Sequence, residues 1–250
     1  MRNDNALTDT GKRHQGVLAI IVRRYVETAE PVGSRYVAKN LGLSSATIRN
    51  VMADLEEAGF ITHPHTSAGR IPTDKGYRYY IDSLMHLSGV NAQTAQSIKN
   101  EYHPAMRSLE DMLERTTHLV STLTNYVGIN IFLEYHKLYL DGASHIIELP
   151  EFRDLKKLHT ILRSLEEKRD ILSLLSDEID DDRLTIHIGK ENKFNYLSEC
   201  SIVTRGYKTK GKVKGRVGVI GPKRMAYEKV IPAVELLADT VSEMLEDLEA

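Results

Sequence analysis

The stretch Ser44-Ser45-Ala46-Thr47-Ile48-Arg49-Asn50-Val51-Met52-Ala53-Asp54-Leu55-Glu56-Glu57-Ala58-Gly59 decides how the chain is read. Ile48, Val51, Met52, Leu55 and Ala58 recur at the spacing of one buried helical face. Either serine at the start can cap that helix by accepting an orphan backbone N–H. Gly59 stands where a helix can end in a left-handed residue. The other face shows Ser45, Thr47, Arg49, Asn50, Ala53 and Asp54, with its polar part crowded into the first two turns. A helix whose N-terminal half enters the major groove has this layout. An ordinary amphipathic helix with a solvated face has it too, so the flanks decide.

Upstream, Val17, Leu18, Ile20, Ile21 and Tyr25 mark a helix over Gly16 to Thr28, and residues 1–15 read as a loose arm. Pro31-Val32-Gly33 breaks the helix, and Ser34 can cap a short second one over Arg35 to Asn40. Leu41-Gly42-Leu43 turns into the quoted helix, completing a helix-turn-helix. Downstream, Phe60-Ile61-Thr62 and Arg70-Ile71-Pro72 read as two short strands around a polar loop. The whole is a winged helix. His65, Thr66, Ser67 and Arg70 in the wing supply donors suited to phosphate or minor-groove contact. Arg49 can fork onto guanine and Asn50 can pair with adenine. Ser45 and Thr47 suit phosphates, or simple capping.

Three runs carry a resemblance: Pro31-Val32-Gly33-Ser34, Ser44 to Leu55, and Pro64-His65-Thr66-Ser67-Ala68-Gly69-Arg70-Ile71-Pro72-Thr73 continuing to Tyr80. They resemble the signature of the bacterial heat-inducible transcription repressor HrcA family over nearly all of the first 85 residues. The second half is similar to that family's GAF-like domain at Gly142-Ala143-Ser144, Glu191-Asn192, Cys200-Ser201, Gly218 to Pro222, Arg224-Met225 and Tyr227. Between about Asn125 and Tyr139 the chain is shorter than the family pattern, which should remove early strands of the sheet and an inserted dimerising segment. The resemblance implies a repressor of chaperone operons that binds an inverted-repeat operator on double-stranded DNA. It also implies a GroE-type chaperonin as corepressing partner.

Length and composition set the bounds. The 250 residues, 41% hydrophobic, suffice for one large or two ordinary domains. Net charge is −2, and residues 1–85 hold 11 Lys and Arg against 9 Asp and Glu, so DNA affinity should rest on a few placed cations. The single cysteine, Cys200, excludes an internal disulfide and fits a reducing compartment. No apolar run is long enough to span a bilayer, and the sequence predicts a soluble, cytoplasmic protein without membrane contact.

The expected fold is α+β in three parts. A winged helix-turn-helix domain occupies 1–88, a helical linker 89–128, and a GAF-like α+β effector domain 129–250. Tyr77, Tyr80, Ile81 and Leu84 mark a helix after the wing. In the linker, Met106, Leu109, Leu113, Val120 and Leu123 form a long apolar stripe that needs a partner helix, inside the chain or across a homodimer. An operator with two-fold symmetry requires a dimer, and this stripe is the candidate surface. Strand, turn and strand are expected from Asn130 onward with Asp141-Gly142 as the turn. An amphipathic helix follows over Pro150 to Ser176, then strands at Leu184 to Ile188, Ser201 to Tyr207 and Val217 to Ile220, and a closing helix from Ile231.

Other chemistry finds little support. His63 and His65 make a His-x-His pair without a second ligand cluster, so loop packing or a phosphate bond reads better than a metal. Cys200 has His187 in its domain but nothing that arranges a nucleophile, and reads as a buried cysteine. Gly211 to Arg224 interleaves cations with glycines yet lacks the Gly-Lys-Ser/Thr ending of a phosphate loop, so a hairpin loop with solvated cations is expected. No cofactor, metal or catalytic group is assigned. A ligand-gated regulator is the first rival reading, and a nucleotide-dependent enzyme the second.

Overall fold

The computed structural model describes residues 9–65, 68–102, 108–166, 171–172 and 181–248. The chain divides between His86 and Leu87 into two compact units.

In the N-terminal unit, α1 (Asp9–Thr28) buries Val17, Leu18, Ile21 and Val22. It starts earlier than the pattern from Gly16 predicts, so residues 9–15 are helix rather than a loose arm. Polar residues of that first stretch find partners instead of solvent: His14 Nε2 lies 3.1 Å from Asp54 Oδ2, and Gln15 Nε2 donates to Tyr79 Oη at 2.9 Å. Next come α2 (Ser34–Leu41) and α3 (Ser45–Glu57). The cap residue of α2 is Gly33, not Ser34, and no side chain closes that end. Gly42, at φ +65°, supplies the left-handed turn between the two helices that a residue with a Cβ resists. Ile48, Val51, Met52 and Leu55 are buried, as the spacing requires.

The wing is small. Strands β1 (Ile61–Thr62) and β2 (Ile71–Pro72) pair antiparallel, Ile61 opposite Pro72. Val32 and Arg70 add an isolated bridge, with both backbone hydrogen bonds near 2.9 Å. That bridge ties the wing base to the segment entering α2. Thr73 caps α4 (Asp74–Tyr79) by accepting the Gly76 N–H at 3.1 Å. The helix then widens into one π turn, where Met85 N–H reaches Tyr80 O at 2.8 Å. Tyr77 and Tyr80 bury their rings against the unit.

The C-terminal unit is built on a five-stranded antiparallel sheet of β3 (Val127–Phe132), β4 (Lys137–Asp141), β5 (Leu184–Ile188), β6 (Cys200–Thr209) and β7 (Lys212–Pro222), in the order β4-β3-β7-β6-β5. On one face lie α6 (Leu109–Thr124), which carries α5 (Ala92–Tyr102), and the closing helix α9 (Tyr227–Leu248). The other face packs Val127, Ile129, Ile131, Ile202 and Ile220 against Ile146 of α7 (Ser144–Glu148), against Phe152, and against Ile161 and Leu165 of α8 (Leu155–Glu166). Full burial of each such side chain is worth about 1.5–3 kcal/mol. This is the expected α+β architecture.

Three expectations change. Leu113 and Val120 are buried inside this unit, Leu109 is half-buried and Leu123 is exposed, while Met106 lies outside the described residues. Leu113 and Val120 therefore cover their own sheet, while Leu123 stays at the surface. The turn after β3 falls at residues 133–136, where His136 takes φ +49°, and Asp141-Gly142 ends β4. The stretch from Lys212 to Pro222 is strand throughout, turning at Lys210 and Gly211. Its glycines serve close packing: a Cβ on Gly215 would lie 2.1 Å from both Ile131 O and Tyr207 Oη. Arg216 is not solvated but fully buried, donating to Thr185 Oγ1 and Arg183 O at 2.9 Å.

Several motif residues of the second half are internal ties. The Asn192 amide lies 2.8–3.0 Å from the carbonyls of Gly189, Leu197 and Cys200. The Tyr227 hydroxyl bonds Ser201 Oγ at 2.7 Å. Cys200 is buried, and desolvation pushes its thiol up to about 12, so it stays protonated and unreactive at neutral pH.

Candidate nucleic-acid interface

The recognition helix α3 begins with a defined cap. Ser44 Oγ accepts the Thr47 N–H at 3.0 Å and lies 2.9 Å from Thr47 Oγ1. Of the two serines, Ser44 is thus the cap and Ser45 the first helical residue. The Thr47 hydroxyl is engaged with the cap, which leaves it half-buried rather than freely presented. Arg49 and Asn50 stand next to each other on the exposed face. Neither makes a side-chain bond to another described residue. A burial pattern that turns Ile48 and Val51 inward forces the two residues between them outward.

The wing places its residues differently. His65 is exposed, while Thr66 and Ser67 lie outside the described residues. Arg70 is only partly exposed, and its guanidinium pairs with Glu56 Oε2 of α3 at 2.8 Å. Glu56 also takes a short hydrogen bond from His63 Nδ1. Burial raises the Glu56 carboxyl, but the bonds from His63 and the charge of Arg70 outweigh it and hold the group below its ordinary range. Arg70 Nε is buried without a hydrogen-bond partner among the described residues. Arg49, Met52, Ser34 and Arg70 line a cleft of about 390 Å³ between α3, the start of α2 and the wing base. The structure thus brings Arg49 and Arg70 to one cleft.

Glu56 was not among the residues singled out from sequence. Its role depends on the hairpin register that returns Arg70 beside it, and no local motif signals that. His63 is committed to Glu56, and among the described residues no group of three His, Cys, Asp or Glu side chains is placed to hold a metal. No helix among the described residues is long and apolar enough to cross a membrane.

A helix-turn-helix with an exposed Arg-Asn pair on its second helix and a two-stranded wing beside it defines a winged-helix DNA-binding regulator of transcription. Residues 7–84 match the family model described as the winged helix-turn-helix transcription repressor, HrcA DNA-binding, and residues 129–231 that of the HrcA protein C-terminal domain. Relatives described as heat-inducible transcription repressor HrcA include that of Moorella thermoacetica, 30% identical across 95% of this chain and 98% of the relative. The Geobacter sulfurreducens relative is 31% identical across 96% and 99%. The chain belongs to the HrcA family of heat-inducible transcription repressors, which are not enzymes. A crystal structure of a hypothetical protein shares the fold, with a TM-score of 0.81 at 22% identity over 97% of this chain and 99% of that one. The alignment to the Moorella relative spans 339 positions, more than the 250 residues present here.

Proposed function

We propose that this repressor binds an inverted-repeat operator upstream of chaperone genes as a homodimer, and that a GroE-type chaperonin modulates it. The observation that carries the reading is the exposed, uncommitted pair Arg49 and Asn50 at the front of a capped recognition helix. In this reading Arg49 and Asn50 contact base edges. Ser45, Thr47, His65, Thr66, Ser67 and Arg70 contact the backbone. The winged-helix domain, residues 1–88, reads one half-site, and the C-terminal domain carries dimerisation and response. Dimerisation does not use Leu113 or Val120 of α6, which are core.

Chaperonin control is a linkage effect. A chaperonin that binds the folded, operator-competent form raises its population, and unfolded clients that occupy the chaperonin withdraw that support. Operator footprinting with and without chaperonin tests both halves. Two protected half-sites about one helical turn or a multiple apart, with protection strengthened by chaperonin, are expected. A single unpaired footprint, or one indifferent to chaperonin, overturns the corresponding half.

A second reading rests on a cleft of about 250 Å³ in the C-terminal unit, lined by Phe152, Lys156, Thr160, Ile161 and Tyr196 among others. Its apolar floor and its rim of Lys156, Lys157 and Glu199 suit a small polar metabolite that gates binding. A thermal-shift screen of metabolites and nucleotides separates it from the first.

A further inference from the structure

We propose that Glu56 is a built-in competitor for the DNA phosphate at Arg70, lowering duplex affinity for all sequences alike. The inference rests on the reading of Arg70 as a backbone contact. Two cations line the cleft between α3 and the wing base, and they differ in one respect. Arg49 makes no side-chain bond within the described residues, whereas Arg70 is held by a carboxylate at 2.8 Å. A phosphate that takes Arg70 must displace that carboxylate, and it meets the negative charge of Glu56 next to the same guanidinium. Both partners are one-quarter exposed, so the exchange happens at the protein surface, where water and salt temper it.

The pair is built for exchange because Glu56 has a second donor. His63 bonds the other carboxylate oxygen, Oε1, while Arg70 pairs with Oε2. When the arginine turns to DNA, the carboxylate stays hydrogen-bonded to His63 and is not left alone. Since the displaced group is the same whatever bases lie in the groove, the effect is on affinity and not on sequence preference.

Fluorescence anisotropy of the full-length protein on an operator duplex and a scrambled duplex, across a salt series, tests this. Glu56→Gln should tighten both duplexes by a similar factor, about fivefold, the scale of a partly exposed ion pair. It should also steepen the salt slope by about one, as a fully released arginine displaces one more counterion. The gain should vanish in the Glu56→Gln/Arg70→Ala double variant. His63→Ala should weaken binding when Glu56 is present and change nothing once Glu56 is Gln. Unchanged or weaker binding by a Glu56→Gln protein whose circular dichroism shows it folded at the assay temperature overturns the proposal. So does a His63→Ala effect that persists without Glu56. If Arg70→Ala alone leaves affinity and slope unaltered, the wing-contact reading fails, and the competitor role falls with it. If Arg70→Ala flattens the slope while Glu56→Gln is silent, only the competitor role is lost.

Discussion

The Tyr207 hydroxyl on β6 donates across the sheet to Asn130 Oδ1 on β3 at 2.9 Å, with Ile131 O equally close. Asn130 in turn donates to Leu113 O of α6 at 3.3 Å, and both side chains are fully buried. This polar link through the core joins two strands and a helix. Tyr207→Phe strips the donor from a buried amide oxygen and should cost about 1–3 kcal/mol. Urea unfolding followed by circular dichroism reads the loss, and an unchanged midpoint would show that the link contributes nothing net.

Ser44 can be tested in two ways at once. Ser44→Ala removes the cap and should destabilise the N-terminal unit by about 1 kcal/mol. Ser44→Asp keeps a capping oxygen and should retain stability, yet it adds a negative charge at the helix end proposed to face the groove. Thermal melting should therefore rank Asp above Ala, while operator binding ranks Asp below Ala. The same order in both assays would remove this helix end from the interface.

Arg49→Ala should relax preference at one position of each half-site, by about 1–3 kcal/mol of discrimination. Its side chain lies off the buried stripe, so melting should be unaffected. Binding site selection with randomised half-sites gives the measurement, and a variant as selective as the parent would show that Arg49 reads no base.

Gly76 sits inside α4, where propensity alone favours alanine by about 1 kcal/mol. Packing opposes this, because a Cβ there would lie 2.0 Å from the backbone oxygen of Phe60. A backbone atom cannot swing aside as a side-chain tip can, so steric cost wins. Gly76→Ala should lower the melting temperature despite the better helix former. A rise would mean that the wing and α4 separate freely.

Glu56 also sets a pH dependence. Its folded-state pKa is below the ordinary 4.5, so its contribution to stability is complete above that value. It is lost as pH falls through the depressed folded value. Wild type should therefore melt above Glu56→Gln at pH 6, with the gap closing as pH drops below 4.5. A gap constant over that range would assign the difference to packing.

Local signals carried far in this sequence. The recognition helix, its cap region, the wing strands and the closing helix all follow from spacing and punctuation. Two kinds of feature did not. His14 looks like part of a solvated arm because its partner, Asp54, lies far along the chain. The glycines of Gly211 to Gly221 look like a loop because a strand that lies close under Tyr207 and Val203 needs them for reasons a one-dimensional pattern does not contain. In the candidate interface, the exposure of Arg49 and Asn50 was legible because an exposed helical face is set by its own residues. The tie between Glu56 and Arg70 was not, since it depends on the register that pairs Ile61 with Pro72.

The position of the β3–β4 hairpin at the sheet edge bears on how such a chain can vary. Both ends of the 133–136 turn emerge at the same place, one strand spacing apart, from an edge that no further strand of the sheet needs. A segment spliced in at that point would leave the pairing of β3 with β7 untouched, and each doubling of its length would add only about 0.6 kcal/mol of closure entropy. The hairpin is thus a socket. A segment can be fitted or removed there while the strands beside it keep their register.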